Sequence, residues 1–253
     1  MRPVVDSVVV FACVFGSGLL GLYLRSILPQ RHLQEDSVGM VRLCTGVIAT
    51  LAALVLGLLV AGAKANYDRV SDEITEAATA VVLLDRTLAQ FGPQAAEARA
   101  LLRTVVTSVV DTVFSDHGRG VADLDDPRRL AAGERLQTQI RNLAPENDVQ
   151  RTLQAHAMEL SNEVAKMRLL TINQAQGSIP AGFLVVLVFW LAIMFAGFGL
   201  VTSKNPTVIV TLLLGALSLA GAVFMIEELN RPLEGLVKVS GAPLRYALVH
   251  MGG

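Results

Sequence analysis

A chain of 253 residues and 27.0 kDa has room for one or two domains. Apolar residues make up 53% and charged residues 17%, against about 25% charged in a soluble domain. With a mean hydropathy of +0.53 this excludes an ordinary soluble globule. Lys plus Arg is 21 and Asp plus Glu is 22, so no basic excess exists to hold nucleic acid.

The apolar residues gather in four blocks: Val4 to Leu24, Leu43 to Ala63, Ile179 to Val201 and Thr207 to Ile226. Each has roughly 20 residues, which at ~1.5 Å per residue matches a ~30 Å hydrocarbon core. The first block reads as a retained span and not a signal peptide. Its apolar part is too long, only Arg2 precedes it, and Val14-Phe15-Gly16-Ser17-Gly18 lacks a small-x-small cleavage pattern. Cys13 and Cys44 have neither metal nor redox spacing and are expected to be packing residues.

The charges lie between and around these blocks. The 64–178 segment has 13 Lys/Arg and 16 Asp/Glu and therefore belongs in water. Four spans place it on the same side as both termini. Near the span ends that side has Arg2, Lys64, Arg69, Lys166, Arg168, Arg231, Lys238 and Arg245, against Arg25, Arg31, Arg42 and Lys204 opposite. The positive-inside rule makes the richer side cytoplasmic. The chain then divides into spans 1 and 2 over 1–63, a cytoplasmic bundle over 64–178, spans 3 and 4 over 179–226 and a cytoplasmic tail over 227–253.

The insert reads as four helices. Tyr67, Val70, Ile74, Ala77, Val81, Leu84, Leu88 and Phe91 recur at steps of three and four, a seam suited to packing against other helices. No Pro separates it from the second span, so one rod is expected from Val41 to Phe91, roughly 75 Å at the usual rise. Gly92-Pro93 stops it, and Pro93 opens a second helix ending near Ser115, with Ala98, Leu102, Val105 and Val109 inward. An exposed loop covers Asp116 to Asp126. A third helix runs from Pro127 to Leu143 and a fourth from Glu146 to Gln176, whose face is Val149, Leu153, Leu160, Val164 and Met167. Period-two alternation never persists, so the fold class is all-α.

Beyond Asp6 at an edge, the four spans contain no charged residue. Pumps and proton-coupled carriers depend on such residues, so active transport is disfavoured. The spans carry small residues instead: Gly46, Thr50, Ala53, Gly57 and Ala61 on the second, and Thr211, Gly215, Ser218 and Ala222 on the fourth. Small residues at this spacing let helices approach closely in lipid. Ile48, Leu51, Val55 and Leu58 form another row on the second span. It is either a hydrophobic constriction that gates an oligomeric pore by dewetting, or a face that meets lipid and neighbouring helices.

Nothing promotes a catalytic, cofactor or metal site. His156 falls on the apolar face of the fourth insert helix and reads as a core histidine. Asp123, Asp125 and Asp126 lack the ligand pattern of a calcium loop and read as solvated. No phosphate loop, dinucleotide fingerprint or nucleophile elbow is present, so an enzyme is not expected.

Several stretches together resemble the bestrophin-like domain family of bacterial membrane proteins. They are Leu28-Pro29 with His32-Leu33 and Asp36-Ser37, the run from Ile48 to Leu59, and Val82-Leu83-Leu84-Asp85-Arg86-Thr87-Leu88-Ala89. Pro145-Glu146-Asn147-Asp148-Val149-Gln150-Arg151 and Phe183-Leu184-Val185-Val186-Leu187-Val188-Phe189-Trp190 follow. The resemblance implies the plan of the bestrophins proper, pentameric anion channels with four spans, cytoplasmic termini and a pore neck on the second span. It also implies a bacterial inner-membrane location. The acidic-Asn-Pro-Phe-Gly segment of bestrophins is loosely echoed by Glu228 to Gly235, but Leu236-Val237-Lys238 stands where calcium-gated members have carboxylates, so the calcium clasp does not carry over. The neck's aromatic character is also missing, since the second span has no Phe, Tyr or Trp.

The expected assembly is a homo-oligomer, a pentamer by resemblance, with the Tyr67–Phe91 seam between copies. Two functions follow from the same features. One is a passive channel, small anions favoured, lined by the second span, with Arg25, Arg31 and Arg42 as a weak anion-attracting funnel. The other is a non-conducting scaffold or regulatory protein whose cytoplasmic bundle docks an unidentified partner.

Overall fold

A computed structural model describes residues 2–29, 35–114, 124–175 and 181–251. Within them the regular structure is helical, with no strand. In chain order the helices are α1 (Arg2–Ile27), α2 (Glu35–Phe91), α3 (Ala96–Val113), α4 (Pro127–Arg141), α5 (Asp148–Ala175), α6 (Ala181–Val201), α7 (Pro206–Leu229) and α8 (Ala242–His250). α1, the first half of α2, α6 and α7 are long and apolar enough to cross a membrane. The expected rod is present as the 57 residues of α2, unbroken because its interior holds no Pro. The loop expected over Asp116 to Asp126 lies outside the described residues as far as Asp123.

The chain forms two compact units. The first comprises Met1–Ala65 and Ser178–Asn230. Here α1 packs on α6 and α7 around Val10, Val14, Leu187, Leu191, Phe195, Leu212, Ala216 and Val223. α1 and α6 come together through glycine. A Cβ on Gly21 would stand 2.1 Å from the Ala196 carbonyl oxygen, and one on Gly199 would stand 2.2 Å from that of Gly18. Backbone meets backbone at this crossing, which only the absence of side chains permits. α7 starts at Asn205, whose side chain accepts from the Thr207 amide at 3.2 Å, followed by Pro206 in the first turn.

The second unit comprises Asn66–Gly177 and Arg231–Gly253. The segment expected as a separate tail from residue 227 therefore divides. Its first residues end α7, while Leu233, Val239, Leu244, Ala247 and Met251 join the core of the second unit. The seam of α2 is buried there too: Val70, Ile74, Val81, Leu84, Leu88 and Phe91 are all at most 5% exposed, with Tyr67 packed at the end of the row.

Gly92 turns the chain at φ +119°, a region other residues rarely adopt, before a short 3-10 turn over Pro93–Ala95. Two glutamines of α5 close helix ends. Gln150 Nε2 donates to the Phe91 carbonyl at 2.9 Å, and Gln154 Nε2 donates to the Ile140, Arg141 and Leu143 carbonyls at 2.9–3.1 Å. α4 begins on Asp126, which accepts from the Arg128 amide at 2.8 Å.

Two faces differ from expectation. On α3 the buried row is Ala98, Leu102, Val106, Val110 and Val113, with Val105 and Val109 half-buried beside it. The adjacent valine pairs 105–106 and 109–110 fit two overlapping stripes, and packing selects the second. On α5, Leu160 and Met167 are buried and Leu153 and Val164 half-buried, but Val149 is 70% exposed. It lies in the first turn, outside the packed length.

Candidate functional site

The spanning part of α2 sorts its residues into three strips. Thr45, Ala52 and Ala63 are buried against the rest of the first unit, flanked by half-buried Ile48, Ala49, Val55, Leu56 and Leu59. Thr45 fits against α6 at Gly197, where a Cβ would meet its Oγ1 at 2.6 Å. At 3.6 residues per turn, Gly46, Thr50, Ala53, Gly57 and Ala61 lie roughly a third of a turn away. All five are exposed, and a Cβ at Gly46 or Gly57 would meet nothing within 4 Å. Another third of a turn on are Leu51 and Leu58, exposed by 44% and 65%.

This divides the expected aliphatic row. Leu51 and Leu58 point away from the chain, whereas Ile48 and Val55 are half-buried at the edge of the packed strip. In lipid a packed face and an open face are both apolar, so composition alone does not separate them. A pocket of about 340 Å³ adjoins Val55 and Leu58 but not Ile48 or Leu51, its other lining residues being Leu59, Gly62, Ala63, Phe183 and Asn230.

The small row on α7 lies beside its packed strip and not within it. Its buried strip is Leu212, Ala216, Ala220, Val223 and Ile226. Gly215 and Ala222 sit half-buried at the margin, and Thr211 and Ser218 are exposed. Their hydroxyls donate to the Thr207 and Leu214 carbonyls at 2.9 and 2.8 Å, so they are satisfied within their own helix. The seam residues Tyr67, Val70, Ile74, Val81, Leu84, Leu88 and Phe91 face their own unit's core, which corrects the expectation that they join copies.

Other expectations also change. His156 is exposed, 3.5 Å from Glu159 on the same helix, and not a core residue. Cys13 and Cys44 are exposed free thiols on the spans. Arg25 is half-buried and committed to α6, its Nη1 donating to the Leu200 and Val201 carbonyls, while Arg42 is exposed and Arg31 lies outside the described residues. Asp123 likewise lies outside them. Among the described residues, no group of three or more His, Cys, Asp or Glu could hold a metal ion.

Three features escaped sequence reading. The glycines of the α1–α6 crossing were visible as Gly18, Gly21, Gly197 and Gly199, whose spacing in two spans was the available signal. The second is a bidentate ion pair between α2 and α3. Arg99 Nε and Nη2 donate to Asp85 Oδ1 and Oδ2 at 2.9 and 3.0 Å, with Asp85 buried. The hydrogen bond to Asp85 raises the Arg99 pKa, burial opposes it, and the Asp85 charge adds to the rise. The third is Arg168 of α5, whose guanidinium donates to the Leu124 carbonyl. Burial lowers its pKa; Asp125 and Asp126 oppose that and Arg129 adds to it.

A family model described as the Bestrophin-like domain matches residues 11–244. The chain also superposes on a crystal structure of a bacterial bestrophin homologue from Klebsiella pneumoniae that carries a point substitution, with a TM-score of 0.66 and 14% identity. The match covers 96% of this chain and 97% of that one. At this identity the likeness concerns the fold. No curated protein matches the chain significantly.

Proposed function

The chain belongs to the bestrophin-like domain family, and from that premise we propose that it is a passive ion channel, small anions favoured, assembled from several copies around α2. The observation that carries this reading is the exposed arc of α2. One strip, Gly46 to Ala61, is small enough for a neighbouring helix to approach closely. The next strip, Leu51 and Leu58, would then face the axis as a narrow aliphatic ring that holds back water. Three strips a third of a turn apart suit a helix that touches its own protomer, a neighbour and a central axis. Ile48 and Val55 would support the ring from behind.

A pentamer is the assembly the family resemblance favours. The excess of Lys and Arg near the span ends on the terminal side supports a cytoplasmic second unit and cytoplasmic termini in a bacterial inner membrane. Arg42 would contribute more to any anion attraction at the short-loop side than Arg25, whose guanidinium is bonded to α6.

The test is ion flux in liposomes containing the purified protein. Leu51→Ser with Leu58→Ser should raise flux by wetting the ring. If neither the wild type nor this pair conducts, while the oligomer is intact, the channel reading fails. The scaffold reading, in which the helical unit docks a partner, would then replace it.

A further inference from the structure

The second unit contains a partly open cavity of about 330 Å³. That is more than twice the ~150 Å³ of an apolar cavity known to take up benzene, and within the range of small-molecule sites. Its wall is built mainly by apolar side chains of α2, α3 and α5, among them Val81, Leu102, Val106 and Met167. Polar groups are few. Arg129, Glu134, Gln137, Ser161, Arg168 and Thr171 also reach the wall.

These groups are not equivalent. Arg129 donates to Thr112 Oγ1, and Thr171 donates to Glu73 at 3.2 Å. Arg168 differs. Its hydrogen bonds among the described residues go to one carbonyl, that of Leu124; Asp125 and Asp126 act on it by charge, but no carboxylate there lies within salt-bridge distance. A half-buried guanidinium has five donors in a fork that suits a carboxylate, and one carbonyl leaves that capacity largely unused. Apolar volume beside a cation with donors left over among the described residues defines the chemistry of an occupant: a flexible apolar body ending in an anion.

We propose that this cavity binds a medium-chain carboxylate, its alkyl chain among the valines and leucines and its head group on Arg168. A neutral chain would forgo the charge-assisted bonds, and a short carboxylate would forgo the apolar burial that dominates the wall. Glu134 also lines the cavity, and Asp125 and Asp126 act on Arg168 by their charge, so an anionic head group competes with these carboxylates for the guanidinium.

The test uses the full chain in phosphatidylcholine nanodiscs, titrated calorimetrically with decanoate against empty nanodiscs as blank. Saturable binding at one site per chain is expected, and heat no greater than the blank overturns the proposal. Gly133 of α4 lines the cavity, and a Cβ there would meet nothing within 4 Å. Gly133→Leu should therefore occupy the space without straining the helix and abolish binding, with an unchanged thermal midpoint. Undiminished binding by that variant places decanoate elsewhere and overturns the site. Arg168→Gln should weaken decanoate roughly tenfold, the size of one charge-assisted bond, and leave decanol unchanged. Equal affinity for decanoate and decanol in the wild type overturns the head-group assignment.

Discussion

Arg25 caps Val201. The guanidinium Nη1 lies 2.6 Å from the Val201 carbonyl oxygen and 3.1 Å from that of Leu200, at the end of α6 where carbonyls lack partners within the helix. A cation is favoured at this end of a helix dipole, and a long aliphatic stem lets the charge reach it from an apolar span. Arg25→Ala should cost about 2 kcal/mol, read as a lower unfolding midpoint in detergent. Arg25→Lys should recover part of it, because one ammonium reaches the same carbonyls without the planar fork. No change in the alanine variant would refute the cap.

Two glycine substitutions should separate folding from assembly. Gly21→Leu drives a side chain into the Ala196 backbone, and overpacking of this kind costs about 1–3 kcal/mol or more. Trp190 fluorescence should report a destabilised protomer. Gly57→Leu places its side chain in open space, so the protomer should melt as the wild type does while mass measurement in mild detergent shows a smaller species. Intact assembly in Gly57→Leu would remove the small strip from the proposed contact between copies.

The Asp85–Arg99 pair predicts an asymmetry. Arg99→Met strands a buried carboxylate and should cost about 3 kcal/mol in denaturant unfolding. Replacing both partners, as Asp85→Leu with Arg99→Met, should restore much of that loss. A double variant as unstable as the single would contradict this account. The hydrogen bond to Asp85 raises the Arg99 pKa in the folded protein, so the guanidinium's contribution is complete below its unfolded value and lost only as pH rises through the higher folded one. Stability across the mildly alkaline range should show no step from it.

Neighbouring positions on α2 should give opposite phenotypes. Ile48→Ala removes half-buried packing and should lower the thermal midpoint with about 1 kcal/mol lost. Leu51→Ala removes an exposed side chain, so the midpoint should hold while flux in liposomes rises. The reverse result would turn the helix the other way.

The spans and the rod were legible because hydropathy and the absence of Pro between Val41 and Phe91 act locally. The inward strip of α2 was not. Thr45, Ala52 and Ala63 are no more apolar than Leu51 or Leu58, and which residues are packed depends on where Gly197 stands, far off in sequence. The same holds for the seam from Tyr67 to Phe91. Its period announced a packed face, but α3, α5 and the last helix supply the partner that a second copy was expected to supply. His156 had helical spacing in its favour, but its turn of α5 carries it outside the core.

The second unit is assembled from two separate stretches of chain, 66–177 and 231–253. Tyr67 Oη donates to the Lys238 carbonyl at 3.2 Å, and Arg103 Nη1 to that of Met251 at 3.2 Å. Synthesis therefore delivers the bundle's closing piece last, after two further spans have been threaded out. At about 5–20 residues per second, the early helices wait several seconds for it with apolar surface uncovered. That interval is when the nascent chain is most open to aggregation and to chaperones, and it sets how quickly the two hydrophobic spans must be taken up.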